Sequence, residues 1–416
     1  MRSKHFCTVA RIAAGCVMAM LAGQSAQAQT YKVLHTFNGI DGANPAAELI
    51  RDADGNLYGT SQDGGTAGTL FELSKTDKLT TLYTFKGGAD GAGPRAGVIQ
   101  GAHGNLYGAT TWGGNGACES AGCGTVFKLS KTGKEAVLYR FTGWPDGAYP
   151  NGVIQDAKSN FYGTTLNGGS GHNGNCSLNG APYGCGTVFK VDASGKETVL
   201  HNFTDNADGG YPEAGLIQDA EGNLYGTAGG GGGVGCYHGC GIVFMLDRAS
   251  KETVLYRFKG GNDGASPYAG VIRDKQGNLY GTTSAGGGHG QGTVFRLSKT
   301  GKETVLYSFC SKSGCADGAF PWGVIQDAKG NLYGTTLGGG GSSDCIGGDC
   351  GTVFKLDTKG KEVVLHNFTG GADGGNPYAG VIWDGQGNLY GTTYWGGNLN
   401  CDDSGFGCGV VFELTP

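Results

Sequence analysis

The chain is built around the stretch Ile50-Arg51-Asp52-Ala53-Asp54-Gly55-Asn56-Leu57-Tyr58-Gly59, which predicts a strand, a tight turn and a second strand. The phrase Asn-Leu-Tyr-Gly recurs along the whole sequence, with Phe replacing Leu in one copy. Its seven tyrosines lie 49 to 63 residues apart and are Tyr58, Tyr107, Tyr162, Tyr225, Tyr280, Tyr333 and Tyr390. A long regular repeat of this kind indicates an array of similar structural units.

Each repeat contains four runs rich in β-branched and aromatic residues. In the sixth repeat these runs are 323–327, 331–336, 351–356 and 362–368, and Gly, Asn, Asp and Lys turns separate them. Four antiparallel strands repeated seven times predict an all-β fold, a seven-bladed β-propeller. The chain stops after a third strand at 409–414, and a matching fourth strand occurs at 31–37. The N-terminal strand is therefore predicted to complete the last blade and close the ring.

This topology sorts the connections onto two faces. The turns between strands one and two, and between three and four, are short and nearly identical. The loops between strands two and three, and those between blades, are long and glycine-rich and share the opposite face, which we call the long-loop face. Since functional groups gather on loops held by a rigid scaffold, this face is the predicted working face, around the mouth of the central channel.

The first 28 residues have the composition of a secretory signal peptide. Arg2, Lys4 and Arg11 precede or interrupt a short apolar run, and Ala26-Gln27-Ala28 forms a small-x-small cleavage site. We therefore expect a single propeller domain over 29–416, secreted or periplasmic, with no transmembrane segment. Cleavage takes the formal charge from -5 to -8, because three positive charges leave. An acidic chain without a basic run is not expected to bind nucleic acid.

Twelve cysteines remain after the leader, in six close pairs. The pairs are Cys118/Cys123, Cys176/Cys185, Cys236/Cys240, Cys310/Cys315, Cys345/Cys350 and Cys401/Cys408. An even count, local pairing and an export signal favour disulfides formed in an oxidising compartment. Zinc binding is the alternative, and the absence of histidines at matching spacings makes it a poor fit. All twelve lie in long loops that should bury little, so we expect the bridges to order these loops.

Three phrases, Gly-Asn-Leu-Tyr-Gly-Thr-Thr, Gly-Thr-Val-Phe-Lys-Leu and Asp-Gly-x-x-Pro-x-x-Gly-Val-Ile, resemble the GloVer-type (Gloeo/Verruco) tandem-repeat family of exported bacterial proteins. The resemblance covers residues 31–416. It implies propeller-like repeats and an exported protein, but no catalytic residues, because the family has no established activity. Many members end in a surface-anchoring signal, whereas this chain ends at Leu414-Thr415-Pro416, and we therefore expect a protein that is not anchored.

An Asp-Gly pair recurs in every blade-to-blade loop. The aspartates are Asp41, Asp90, Asp146, Asp208, Asp263, Asp317 and Asp373. They could form a ring of ligands for calcium, which prefers several oxygens. The alternative is an Asx-turn that ends one blade and starts the next. Because each loop offers only one carboxylate and calcium prefers several oxygens, we expect the Asx-turn. No cofactor is predicted.

Two sets of side chains on the long loops are candidates for function. His172, His238 and His289 lie in consecutive repeats and could bind a metal or supply a general base, or they could be unrelated loop residues. The tryptophans Trp112, Trp144, Trp322 and Trp395 could stack on sugars, or could cover glycine-rich backbone.

The leading hypothesis is a monomeric propeller that binds an extracellular ligand on its long-loop face, either a glycan or another cell-envelope component. Near-equivalent blades and the lack of a recognisable catalytic motif favour binding over catalysis. One alternative is an extracellular lyase or hydrolase acting on polysaccharide through the histidine loops. The other is a structural cell-envelope protein with no small ligand.

Overall fold

The computed structural model describes residues 29–416 except 116–117, 119–120, 171–175, 179–180, 183, 234, 237, 342–344, 346–348 and 402–404. Seven four-stranded antiparallel sheets form the blades of a β-propeller, which confirms the predicted fold. The predicted signal peptide, 1–28, lies outside the described residues. In the part of the chain that the structure describes, no helix is long and apolar enough to cross a membrane.

We number the blades 1 to 7 from the one that contains Ile50. The inner strands are Ile50–Arg51, Ile99–Gln100, Ala148–Gln155, Ile217–Gln218, Ile272–Arg273, Ala319–Gln326 and Ile382–Trp383. The second strands are Leu57–Ser61, Leu106–Thr110, Phe161–Asn167, Leu224–Ala228, Leu279–Thr283, Leu332–Gly338 and Leu389–Thr393. The third strands are Thr69–Leu73, Thr125–Leu129, Thr187–Val191, Ile242–Leu246, Thr293–Leu297, Thr352–Leu356 and Val410–Thr415. The outer strands are Leu79–Thr84, Glu135–Arg140, Glu197–Asn202, Glu252–Arg257, Glu303–Ser308, Glu362–Asn367 and Thr30–Thr36.

A few short elements lie outside the blades. A two-stranded antiparallel ribbon, Ser177–Leu178 with Ala181–Pro182, lies in the long loop of blade 3. Single 3-10 turns occur at Ala102–Gly104 and Ser313–Cys315.

The ring is closed by the strand that the sequence predicts. Thr30–Thr36 pairs antiparallel with Val410–Thr415, with Tyr31 opposite Leu414, so blade 7 is built from both ends of the chain. This pairing leaves no unfinished blade at the point where the described chain begins and ends.

Fourteen phenylalanines form the contacts between blades. The phenylalanine after each outer strand meets the phenylalanine of the third strand in the next blade, with ring centroids 4.9–5.5 Å apart and planes at 64–70°. The pairs are Phe37–Phe71, Phe85–Phe127, Phe141–Phe189, Phe203–Phe244, Phe258–Phe295, Phe309–Phe354 and Phe368–Phe412, and all fourteen rings are buried. Edge-to-face geometry adds about 0.5–1.5 kcal/mol a pair beyond burial.

The glycine of the repeated Asn-Leu-Tyr-Gly phrase makes room for these rings. A Cβ on any of the seven glycines would lie 2.6–2.9 Å from Cζ of the third-strand phenylalanine in the same blade. The glycines are Gly59, Gly108, Gly163, Gly226, Gly281, Gly334 and Gly391. The repeat therefore ends in glycine because the phenylalanine ring takes the space of a side chain.

A buried hydroxyl joins neighbouring blades close to the central channel. In six blades the residue after this glycine is a threonine that donates a hydrogen bond to a backbone carbonyl of the next blade, before its inner strand or, for Trp322, within it. The six donor–acceptor pairs, at 2.7–3.3 Å, are Thr60–Ala96, Thr164–Ala214, Thr227–Ala269, Thr282–Trp322, Thr335–Ala379 and Thr392–Ala47. These bonds fix the chain at the point where it enters each inner strand.

The twelve cysteines form the six predicted disulfides. The bridges are Cys118–Cys123, Cys176–Cys185, Cys236–Cys240, Cys310–Cys315, Cys345–Cys350 and Cys401–Cys408. Five of them fasten a long loop to the glycine that precedes a third strand, and Cys310–Cys315 closes the loop between blades 5 and 6. Six disulfides are consistent with an extracellular or periplasmic protein.

The expectation that the cysteine loops bury little is wrong for the second cysteine of these five bridges, and also for the first cysteines Cys118 and Cys176. Cys123, Cys185, Cys240 and Cys350 are 0% exposed and Cys408 is 1% exposed. Each belongs to a hydrophobic cluster between two blades, Cys123 with Phe141, Cys185 with Phe203 and Cys408 with Phe37. The second cysteines are buried because the residue before the third-strand glycine lies at the end of the phenylalanine contact between two blades. These bridges therefore connect surface loops to the core.

The packing predicts the effect of adding one methyl group in blade 5. We expect Gly281→Ala to lower the free energy of unfolding by about 1–3 kcal/mol, since its Cβ would lie 2.8 Å from Phe295 Cζ. Gly288→Ala, in the exposed loop of the same blade, meets nothing within 4 Å and should change stability by less than about 0.5 kcal/mol. Denaturant unfolding of the two variants measures the difference. Equal stabilities would contradict this account of the repeat.

Candidate functional site

The channel mouth on the long-loop face is built by the residue that follows each repeated proline. The residue before the proline has a positive φ of 52–59° in the six blades where it is not glycine. This bend turns the chain down into the inner strand and leaves the next side chain at the rim of the channel. The rim residues are Ala46, Arg95, Asn151, Glu213, Tyr268, Trp322 and Tyr378. Six residue types occur at these seven positions, and in blades 3 and 6 the segment from the proline to the inner-strand isoleucine is one residue shorter than in the others.

The buried cysteines hold this bend in place. The carbonyl oxygens of Cys123, Cys185, Cys240, Cys350 and Cys408 accept hydrogen bonds of 2.7–2.9 Å from the backbone N–H of the positive-φ residue in the next blade. The five donors are Tyr149, Tyr211, Ser266, Asn376 and Asn44. Each of these cysteines is thus hydrogen-bonded to a residue that lies two positions before a rim residue. The bridges therefore support the channel mouth as well as their own loops.

At the position two residues before the isoleucine of each inner strand, six blades have glycine and blade 1 has Glu48. The glycines are Gly97, Gly152, Gly215, Gly270, Gly323 and Gly380. Glu48 Oε1 lies 2.5 Å and 3.0 Å from the positions that Cβ atoms on Gly380 and Gly323 would take. The carboxylate of blade 1 therefore extends to blades 7 and 6. The Glu48 side chain remains accessible to solvent, but protein atoms surround it and displace part of its hydration shell. This partial loss of hydration raises the pKa of Glu48.

An aromatic cluster lies on the side of the mouth formed by blades 6 and 7. Trp322 meets Tyr378 edge to face with centroids 5.8 Å apart, and Tyr378 lies 4.9 Å from Tyr394. Tyr394 packs edge to face on Trp395 at 5.2 Å, and Trp395 lies 6.0 Å from Phe406. We call these five residues the aromatic cluster. The first four are half-buried, and Phe406 is 43% exposed.

A cleft of about 180 Å³ opens beside the outer part of the aromatic cluster. Trp395, Phe406, Leu399 and Asn376 line it, together with Cys345 and the backbone of three glycines. It is an apolar recess with one amide, next to ring faces and edges. Such a surface suits a flat, partly apolar ligand such as a sugar ring.

Polar side chains form the part of the mouth that belongs to blades 1, 2 and 4. Arg95 Nε donates a hydrogen bond of 2.7 Å to Gln62 Oε1, and its guanidinium lies 5.6 Å from the centroid of Trp112. Gln62 Nε2 in turn donates to Asp63 Oδ2 at 3.2 Å. Loss of hydration raises the pKa of Glu213 to about 7, with Arg95 acting against the rise. The two halves meet at Tyr394, whose pKa is raised by burial and by the nearby Asp63 carboxylate, while Arg95 and a hydrogen bond with Gln62 oppose the rise.

The structure separates the four predicted tryptophans. Trp322 and Trp395 belong to one aromatic cluster, joined through Tyr378 and Tyr394. Trp112 lies under the Arg95 guanidinium in blade 2. Trp144 is 60% exposed in the loop between blades 2 and 3, and it does not belong to the cluster.

The three predicted histidines have different surroundings. His172 lies outside the described residues. His238 lies inside the loop that the Cys236–Cys240 disulfide closes, with its side chain 53% exposed and Nδ1 3.6 Å from Asp205 Oδ2. His289 is exposed in the corresponding loop of blade 5. Among the described residues, no three His, Cys, Asp or Glu side chains converge in a way that could hold a metal ion.

Asp205, which the sequence analysis missed, gives His238 its geometry. Its side chain is only 3% exposed, and burial raises its pKa to about 6 although His238 opposes the rise. The Tyr211 ring approaches His238 edge to face at 6.4 Å. A buried carboxylate that orients an exposed imidazole is an arrangement found in general-base catalysis.

The predicted aspartate ring closes the loops between blades. Each carboxylate approaches the phenol or imidazole near the end of the preceding outer strand, at 2.5–3.6 Å. The pairs are His35–Asp41, Tyr83–Asp90, Tyr139–Asp146, His201–Asp208, Tyr256–Asp263, Tyr307–Asp317 and His366–Asp373. The same carboxylates accept backbone N–H groups in their loops, as Asp146 does from Thr142. One aspartate thus lies at each of the seven junctions between blades. Its carboxylate accepts hydrogen bonds within its own loop, as expected for the predicted Asx-turn.

Solved structures of similar shape include several enzymes. Virginiamycin B lyase from Staphylococcus aureus has a TM-score of 0.58 at 13% identity, over 93% of this chain and 99% of the lyase. PorZ, a surface component of the type-IX secretion system of Porphyromonas gingivalis, has a TM-score of 0.47 at 13% identity, over 91% of this chain and 46% of PorZ. The aldose sugar dehydrogenase of Streptomyces coelicolor has a TM-score of 0.42 at 16% identity, over 93% and 98%.

The likeness to the lyase agrees with the propeller fold, and none of these likenesses carries a function to this chain. No curated protein matches the sequence. A family model does match, in two consecutive segments, residues 13–177 and 175–342, which together span most of the chain. The repeated phrases, the seven blades and this match agree, and the chain belongs to the Gloeobacter/Verrucomicrobia repeat family.

Proposed function

We propose that this protein binds extracellular carbohydrate at the channel mouth of its long-loop face. The observation that carries the proposal is the aromatic cluster, in which the rings of Trp322, Tyr378, Tyr394 and Trp395 contact one another in series along one side of the channel. Sugar rings present apolar C–H faces that pack on aromatic rings and hydroxyl edges that need polar partners.

The polar half of the mouth provides those partners. Gln62, Asp63 and Arg95 are already joined in a hydrogen-bonded chain next to Tyr394, so their side chains are held in place before a ligand arrives. A preformed site loses less conformational entropy on binding than a flexible one. Because the aromatic and polar groups each occur once around the ring, the proposed stoichiometry is one glycan segment for each propeller.

Loss of ring surface should weaken this binding. We expect the double variant Tyr378→Ala, Trp395→Ala to bind polysaccharide about 5- to 150-fold more weakly, because removing two stacking faces costs about 1–3 kcal/mol. Trp144→Ala is the matched control, since Trp144 is 60% exposed on the same face and lies outside the cluster. Affinity electrophoresis in gels that contain a panel of polysaccharides measures the effect, and far-UV circular dichroism checks the fold. Unchanged retention of the double variant would remove the cluster from the site.

A second candidate function is cleavage of the bound glycan, and the Asp205–His238 pair favours it. The buried carboxylate lies 3.6 Å from Nδ1 of His238, within ion-pair distance, and Nε2 is the atom that could accept a proton from water or substrate. In this version the protein is an extracellular hydrolase or lyase, and Tyr211 forms part of the same wall.

If incubation with polysaccharide releases soluble fragments, His238→Ala should reduce the release about 100-fold or more, since general-base catalysis contributes on this order. Asp205→Asn should also reduce it, by removing the group that orients the imidazole. His289→Ala provides the control, because His289 is an exposed histidine in the same loop of the next blade. Size-exclusion chromatography of the products measures the release. Full activity in His238→Ala would exclude this pair from any reaction found.

A further inference from the structure

Glu48 is a single charge placed where the rest of the ring has glycine. The six corresponding positions carry no side chain, so the Glu48 carboxylate is the one side chain that this layer contributes to the channel. Within the described chain, no basic side chain pairs with it, and loss of hydration is the cause of its raised pKa. A carboxylate in such a position gains stability from a cation brought by a ligand.

The position of the carboxylate relative to the aromatic cluster is defined by its two neighbours. Glu48 Oε1 approaches Gly323 and Gly380. Gly323 directly follows Trp322, and Gly380 comes two residues after Tyr378. The carboxylate therefore lies against the backbone that carries Trp322 and, two residues from Gly380, Tyr378, whose rings meet edge to face. Aromatic faces attract cations, and a nearby carboxylate adds to that attraction.

Two of the three other charged side chains at the mouth are also acidic. Glu213 and Asp63 are acidic, and Arg95 is the one cation placed beside them in the described chain. Arg95 is already hydrogen-bonded to Gln62 and stacked on Trp112. A sugar carboxylate would thus meet three acidic groups and one engaged guanidinium. A positively charged sugar would meet a favourable field.

We propose that the glycan bound at the channel mouth carries an ammonium group, as in a polymer of glucosamine, and that Glu48 receives this group beside the segments that carry Trp322 and Tyr378. This inference rests on the proposed carbohydrate binding and names the class of sugar. A metal ion is a poorer occupant, because calcium needs several oxygen ligands and the six glycines of this layer supply no side-chain oxygen.

The test compares two β-1,4-linked tetrasaccharides of equal length. One consists of N-acetylglucosamine and is neutral, and the other consists of N,N,N-trimethylglucosamine and has a fixed positive charge. Calorimetric titration at pH 8 uses the mature chain, Glu48→Gln and Glu221→Gln. At this pH Glu213, with a pKa of about 7, is ionised. Glu221 is exposed in a short turn of blade 4, so its variant controls for the change in net charge.

We expect the unsubstituted protein and Glu221→Gln to bind the charged tetrasaccharide at least about tenfold more tightly than the neutral one. Glu48→Gln should lose most of this preference and keep its affinity for the neutral sugar, because the ring surfaces are unchanged. Equal binding of both sugars by the unsubstituted protein, or a preference that survives in Glu48→Gln, would overturn the ammonium inference and leave carbohydrate binding in place. Failure to bind either tetrasaccharide or any polysaccharide of the panel would overturn both proposals.

Discussion

The contact between phenylalanines of adjacent blades is the interaction on which the rest of the structure depends. Each outer-strand ring packs edge to face on a third-strand ring of the next blade, at seven junctions that include the closure of the ring. The glycine after each repeated tyrosine is required because the phenylalanine ring occupies its side-chain space. The chain thus obtains seven equivalent hydrophobic joints, and buried threonine hydroxyls join the blades again near the channel.

This rigid frame explains why variation is concentrated at the channel mouth. The prolines before the inner strands pack against glycines before the third strands of the preceding blades, where a Cβ would lie 2.4–2.9 Å from the proline Cδ. The side chain of the residue after each proline is not part of the proline–glycine contact. Those seven positions carry alanine, arginine, asparagine, glutamate, tyrosine twice and tryptophan. A symmetrical scaffold thereby presents one asymmetrical site, with aromatic rings on one side and charged groups on the other.

Most of the fold could be predicted from the sequence, and only part of the site could. Strand order, ring closure and disulfide pairs follow from local repeats, which are visible in one dimension. The burial of Cys123, Cys185 and Cys408 was missed, and so was the partnership of Trp322 with Tyr378, because both depend on contacts across blades. Asp205 was overlooked since it lies outside the Asp-Gly repeat. The significance of Glu48 appears only when the seven inner segments are compared around the channel.

The most direct test of the central claim is hydrogen–deuterium exchange of the mature protein with and without a bound oligosaccharide. If the ligand occupies the channel mouth, exchange should slow in 46–49, 320–323, 376–380 and 393–397, the segments that carry Glu48, Trp322, Tyr378, Tyr394 and Trp395. The short turns on the opposite face should be unchanged. Protection confined to those turns, or to the outer strands, with the ligand demonstrably bound, would contradict the account.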